Sequence, residues 1–293
     1  MDRYINLFTD YGFKKVFGEE PNKDLLIAFL NELLGKRDRV RDLTYLNSEH
    51  LGRTARERSA VFDLYCTNEQ GEKFIVEIQR VNQKFFKDRS VYYSTFAVQE
   101  QAAKGRDWKY ELKSVYTIGI LDFCFDDADQ EKLHHRVKLM EEETKQVFYD
   151  KLTFIYLEIP KFKKELSELA SDYDRWLFAF KNLHRLKDRP KELEAGIFKR
   201  LIEIAELATF DEAEQLDYRE SLKAYWDLKS ALSTSYEEGK AAGKEERDRE
   251  IVRNSLKQGL DIQLIAALTG LSEDEIEQIR DGRQIDRQDS VSQ

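Results

Sequence analysis

Two short apolar runs, Ser59 to Cys66 and Lys73 to Gln79, flank the turn Asn68-Glu69-Gln70-Gly71, and no other stretch limits the fold as tightly. Both are rich in β-branched and aromatic residues and are bounded by Asn and Gly, which predicts an antiparallel hairpin. Successive strand side chains turn to opposite faces, so Glu77 and Gln79 share one face and Ile78 takes the other. Counting back across the turn brings Asp63 within about one residue of the place opposite Glu77, depending on loop register. Two carboxylates can therefore meet at one end of the hairpin. Oxygen ligands so arranged suit Mg²⁺ (or Mn²⁺), which takes one or two protein carboxylates and keeps room for water and a phosphate. The matching chemistry is metal-assisted phosphodiester hydrolysis. The same residues also describe a hairpin with ordinary polar groups on its solvated face, and the pattern alone does not separate the two.

The flanking sequence predicts a helix over Asp10 to Phe17, with Thr9 as N-cap and Gly18 as C-cap. A second helix is expected from Lys23 to Leu34, where Leu25, Leu26, Phe29, Leu30, Leu33 and Leu34 form an apolar stripe ended by Gly35. Leu43 to His50 reads as a strand leading to the hairpin, and Lys84 to Lys104 as a helix stopped by Gly105. Val115 to Phe125 is a nearly continuous apolar run, as in a strand buried on both faces, and Leu152 to Ile159 is another, ended by Pro160.

Five stretches carry a resemblance to a known family. They are Thr9-Asp10-Tyr11-Gly12-Phe13-Lys14-Lys15-Val16-Phe17-Gly18, Val61-Phe62-Asp63, Phe74-Ile75-Val76-Glu77-Ile78-Gln79, Arg89-Ser90-Val91-Tyr92-Tyr93-Ser94, and Tyr110 to Leu121. Their order and spacing resemble the PD-(D/E)XK nuclease family transposases, also called the Rpn family of recombination-promoting nucleases, over roughly residues 1–125. The resemblance implies an α/β, restriction-endonuclease-like mixed sheet flanked by helices, followed by an all-helical C-terminal region. It implies Mg²⁺-dependent cleavage of DNA, with Asp63 and Glu77 as metal ligands and Gln79 in the place usually held by a water-orienting Lys. A role in recombination, mobile-element biology or phage defence comes with it.

A neutral amide holds a water by hydrogen bonds but does not lower its pKa as a nearby ammonium does. The help is expected from Lys84 or a metal-bound hydroxide rather than from Arg80, which points to the other face if the strand continues. Asp10 and Lys14 lie four apart and form either a surface ion pair or a support for the metal site. Arg89 and Tyr93 are also four apart. Arg89 suits a phosphate clamp, and Tyr93 fits a core stripe with Phe85, Phe86, Tyr92 and Phe96 as well as it fits a substrate contact.

The formal net charge of −9 suits a DNA binder only if it is unevenly spread. Up to residue 125 there are 20 Lys and Arg against 19 Asp and Glu, and beyond it 28 against 38. The acidity therefore lies in the C-terminal half, which is open to a protein partner. A basic cluster, Lys36, Arg37, Arg39 and Arg41 with Arg53, Arg56 and Arg58, precedes the Asp63 strand and either attracts phosphates or forms a solvated loop face. Cys66 and Cys124 lack zinc or disulfide spacing and read as buried thiols. No apolar stretch approaches the length of a membrane helix, and a cytoplasmic protein is expected. The four His show no ligand spacing, and no Walker motif, nucleophile elbow or dinucleotide loop occurs.

Beyond Lys161 the pattern is helical, over Tyr173 to Leu186, Lys191 to Leu207 and Asp211 to Leu232. The run Glu237 to Arg247 holds Gly239 and Gly243 and reads as a hinge or an exposed helix. Gly259 to Ile276 resembles a helix-turn-helix with Gly270 in the turn and a capping box from Ser272 to Glu275. Its second helix begins Glu273-Asp274-Glu275, a charge that favours a packing or assembly element over a DNA reader. The expected divisions are 1–160 for the nuclease-like domain, 161–236 for a helical region, and 237–293 for a charged helix, helical hairpin and disordered tail. A homodimer is expected because one site per chain cuts two strands most simply as a symmetric pair. A different class of function remains open, that of a non-catalytic interaction protein on a degenerate nuclease fold.

Overall fold

The computed structural model describes residues 2–35, 39–50, 60–102, 110–125 and 129–281. These fall into two units, Met1–Trp226 and Asp227–Gln293.

The first unit opens with α1 (Asp10–Phe17), whose Thr9 hydroxyl accepts the Gly12 N–H at 3.0 Å and so satisfies one of the helix's free donors. Position 12 requires glycine, because a Cβ there would lie 2.3 Å from the Asn6 carbonyl oxygen. Then follows α2 (Lys23–Leu34), with all six residues of its apolar stripe buried. The strands are β1 (Leu43–Tyr45), β2 (Glu49–His50), β3 (Ala60–Val61), β4 (Leu64–Asn68) and β5 (Lys73–Gln79). After them come α3 (Phe86–Gln99), β6 (Val115–Leu121), β7 (His134–Met140) and β8 (Val147–Glu158).

Six strands form one sheet in the order β1-β4-β5-β6-β8-β7, while β2 and β3 pair separately. The hairpin β4–β5 is antiparallel with Leu64 opposite Val76. β5, β6 and β8 run parallel, with α3 on the crossover between the first two. This is the mixed α/β sheet that the sequence implied. Several bounds differ from expectation. The Leu43 to His50 strand is two pieces, the Val115 run leaves the ladder at Leu121, and β8 begins five residues early.

The edge strand β7 was not anticipated. Val137 and Leu139 point outward at 47% and 48% exposure, so the strand is held by its backbone pairing with β8 and carries no buried alternation to read. Cys124 is only partly buried, since it lies past the end of β6. Cys66 is fully buried, and burial pushes its thiol up to about 12.

One face of the sheet, through Leu64, Cys66, Phe74, Val76, Ile118, Ile120, Ile155 and Leu157, packs into a core shared with α1, α2, α4 (Asp172–Asn182) and α5 (Gly196–Ala205). Trp176 of α4 sits at its centre, 5.8, 5.6 and 4.9 Å from the rings of Phe17, Phe29 and Phe198. The other face meets α3 through Ile75, Ala97, Phe86 and Tyr156. The boundary expected at residue 160 therefore lies inside this unit, because α4 and α5 supply part of the same core. The chain continues into α6 (Glu212–Lys257), a single helix that passes Gly239 and Gly243 unbroken. An exposed helix, not a hinge, is what the charged run forms.

In the second unit, α7 (Ile262–Thr269) and α8 (Glu273–Arg280) close over the end of α6. Val252, Ile265, Leu271, Ile276 and Ile279 make its core. Gly270 adopts φ +73°, and Ser272 and Glu275 form the expected capping box. Residues 36–38, 51–59, 104–105 and the tail beyond 281, on which several expectations fell, lie outside the described residues. No described helix is long and apolar enough to cross a membrane.

Because Trp176 is fully buried among aromatic rings, Trp176→Ala is expected to cost about 3–5 kcal/mol, read as a lower urea midpoint. A fragment ending at residue 160 lacks this ring and is expected to show no cooperative unfolding by circular dichroism.

Candidate functional site

Asp63 stands where β3 gives way to β4, and the break turns its carboxylate along the hairpin. Its Oδ2 accepts the Ile78 N–H at 2.7 Å, while its own N–H donates to Glu77 Oε1 at 3.3 Å. The two acids are thus held side by side through reciprocal backbone contacts across β4 and β5. Glu77 is 8% exposed and Gln79 9%. The Gln79 Nε2 donates to Glu77 Oε2 at 3.0 Å, its Oε1 accepts from Arg89 Nη2, and Arg89 Nη1 donates to Gln83 Oε1 at 2.7 Å. A chain of polar contacts therefore runs from α3 through Gln79 to Glu77.

The sheet makes this possible. Glu77 pairs in parallel register with Gly119, where a Cβ would lie 3.0 Å from the Tyr156 ring and 3.3 Å from the Phe86 ring. The absence of a side chain lets Phe86 seat α3 close to the sheet and puts Arg89, one turn on, beside the acid pair.

Burial pushes the Asp63 carboxyl up to about 6, with nearby Asp10 adding to the shift and the Ile78 N–H, Lys14 and Arg80 opposing it. Burial and the neighbouring Asp63 charge push Glu77 further, to about 8, against the pull of Arg89. Because the acids are coupled, their protons leave in two steps that belong to the pair. Two carboxylates in a desolvated site hold a proton until a cation replaces it. Among the described residues no three His, Cys, Asp or Glu side chains form a metal cage. An oxygen pair of this kind still fits Mg²⁺, which draws most of its shell from water and substrate phosphate.

The other expected site residues divide. Asp10 and Lys14 form a half-exposed ion pair at 3.0 Å, in an open cleft with Asp63 and Arg80. Tyr93 packs its ring 5.2 Å from Phe62, with the Arg89 guanidinium 5.7 Å from it. Its hydroxyl pKa is raised by burial and by Glu77. Lys84 is not at the acids. It is exposed and lies 5.4 Å over the Phe85 ring, because the chain leaves the sheet before α3 begins. Arg89 is the cation that reaches Gln79.

Arg80 keeps to the face opposite Gln79, as strand alternation implied, donating to the Phe8 carbonyl at 2.8 Å and lining the cleft beside α1. Asp217 and Glu220 of α6 line the same cleft, a contact that no local pattern announces because it joins elements distant along the chain. Arg39 and Arg41 are exposed, and the rest of the basic cluster lies outside the described residues.

A family model described as PD-(D/E)XK nuclease family transposase matches residues 7–235. The chain belongs to this family. A second model, the C-terminal HTH domain of the Rpn/YhgA-like nuclease family, matches residues 245–281. This covers the end of α6, α7 and α8, and agrees with the helix-turn-helix pattern in the sequence. No curated protein and no solved structure matches the chain. The PD-(D/E)XK membership assigns the mixed sheet to the restriction-endonuclease-like fold.

The raised acids give a signed expectation. The native state binds more protons than the unfolded chain between about pH 4 and 8, so metal-free stability falls as pH rises through that window. Glu77→Gln is expected to flatten the slope and raise the melting temperature at pH 8, measured by differential scanning fluorimetry in EDTA.

Proposed function

We propose that this nuclease-family chain is a Mg²⁺-dependent DNA endonuclease whose metal ligands are Asp63 and Glu77. One observation carries the reading: the two carboxylates lie side by side, Glu77 buried and Asp63 partly so, and are joined through Gln79 to the guanidinium of Arg89. When bound, the metal would neutralise the acids and draw charge from a phosphate oxygen. The family match and the HTH match support DNA as the partner.

In this reading the reaction joins a water oxygen to phosphorus, breaks one phosphodiester P–O bond, and leaves a proton on the departing sugar oxygen. Gln79 has one carbonyl lone pair and one N–H left after its contacts to Arg89 and Glu77, enough to orient the attacking water. Arg89 supplies the positive charge that an amide lacks, and its fork also suits a phosphate oxygen. Asp10 and Lys14 bias Asp63 electrostatically from the cleft and act as positioning residues. Tyr93 holds Arg89 over its ring. A homodimer that places two such sites on the two strands, and recombination, mobile-element biology or phage defence as its setting, complete the proposal.

Supercoiled plasmid with Mg²⁺ tests it. The wild-type chain is expected to nick or linearise the plasmid, and EDTA, Asp63→Asn and Glu77→Gln each to abolish cutting. Arg89→Lys is expected to retain more activity than Arg89→Ala, whose rate falls by about 100- to 1000-fold on the scale of a lost charge-stabilising donor. Cutting that survives loss of either carboxylate would refute the assignment.

A further inference from the structure

Two exposed aromatic rings stand next to the site, Phe85 at the N-cap of α3 and Tyr92 on the helix itself. Phe85 is 64% exposed and Tyr92 42%. Phe85 lies four residues before Arg89 and Tyr92 three after, so both lie along the helical surface that Arg89 shares. The Tyr92 ring is steadied edge-on by Phe96 at 5.2 Å, and the Lys84 ammonium hangs 5.4 Å over the Phe85 ring. Residues 84–99 hold three cations, Lys84, Lys87 and Arg89, against the single acid Asp88.

The cleft on the Asp63 side has the opposite character. Its Lys14 and Lys15 are paired with Asp10 and Glu19, and Asp217 and Glu220 of α6 add further acid. A polyanion is repelled there and attracted along α3. The exposed rings narrow the choice of polyanion. Duplex DNA presents phosphates but keeps its base faces stacked, whereas an unpaired base offers a π-face that an exposed Phe or Tyr can cover.

We propose that Phe85 and Tyr92 form a stacking platform for unpaired bases of a DNA strand whose phosphates are held by Lys84 and Arg89. The substrate of the site is then single-stranded or locally opened DNA. This inference rests on the nuclease reading for the chemistry, and on α3 alone for the binding.

The test uses the full chain in EDTA, where binding is separated from cutting. Fluorescence anisotropy compares a labelled single-stranded 15-mer (about one site length) with the same sequence as a duplex. A matching oligonucleotide carrying 5-iododeoxyuridine is crosslinked and mapped by mass spectrometry. The single strand is expected to bind at least about 10-fold tighter, with crosslinks on Phe85 or Tyr92. Phe85→Leu and Tyr92→Leu are each expected to weaken it by about 5- to 100-fold, the range for loss of one stacked base, while Phe85→Trp retains affinity.

Equal affinity for duplex and single strand, or crosslinks confined to other elements, would overturn the platform. So would a Phe85→Leu variant that keeps its DNA affinity but changes the oligomeric state, since the rings would then belong to a protein interface. Crosslinking at Phe85 by a chain that cuts no DNA in Mg²⁺ would leave the platform standing and remove the nuclease reading instead.

Discussion

The reciprocal latch between Asp63 and Glu77 is the constraint around which the site is built. Each acid uses the other's strand, Asp63 by accepting from Ile78 and Glu77 by accepting from Asp63. Neither can turn to water without breaking a backbone contact in a desolvated place, where an unmet donor costs about 1–3 kcal/mol. The acids are therefore fixed before any cation arrives. Burial and their nearness keep a proton on the pair in the metal-free chain, and in the proposed reading a bound cation would take its place.

The surrounding sheet determines what else can reach that pair. Three parallel strands, β5, β6 and β8, are buried on both faces, which requires helices on both sides. The face carrying Ile78 packs into the α1, α2, α4 and α5 core, and the face carrying Glu77 and Gln79 looks toward α3. Gly119 beside Glu77 permits the close approach of Phe86, and α3 then presents Arg89 to Gln79. The helix that closes the parallel crossover thus also delivers the cation.

The sequence disclosed what depends on local pattern. Both the α1 and α2 bounds, the antiparallel hairpin and the α8 capping box follow from caps, turns and periodicity that act within a few residues, whereas the hairpin register was left open to about one residue. It did not disclose β7, whose outward apolar residues mimic loop composition, nor the single long α6, where two glycines suggest interruption in a helix that the exposed charged residues carry through. In the site, the positions of Asp63 and Glu77 were legible because a strand pairing fixes both. The Arg89 contact and the α6 acids in the cleft were not, because they depend on how helices distant in sequence pack. Lys84 was favoured by nearness along the chain, and a two-residue difference in where α3 begins placed it over Phe85 instead.

The central claim is that the pair holds a proton which a divalent cation displaces. Isothermal titration of the full chain with Mn²⁺ at pH 7, in two buffers of different ionisation enthalpy, measures this directly, with the same titration repeated at pH 9. At pH 7 the account predicts release of about one proton per bound ion, since metal ligands must be deprotonated, falling toward none at pH 9. A heat that is independent of buffer at pH 7, or binding unchanged in Glu77→Gln, would contradict it.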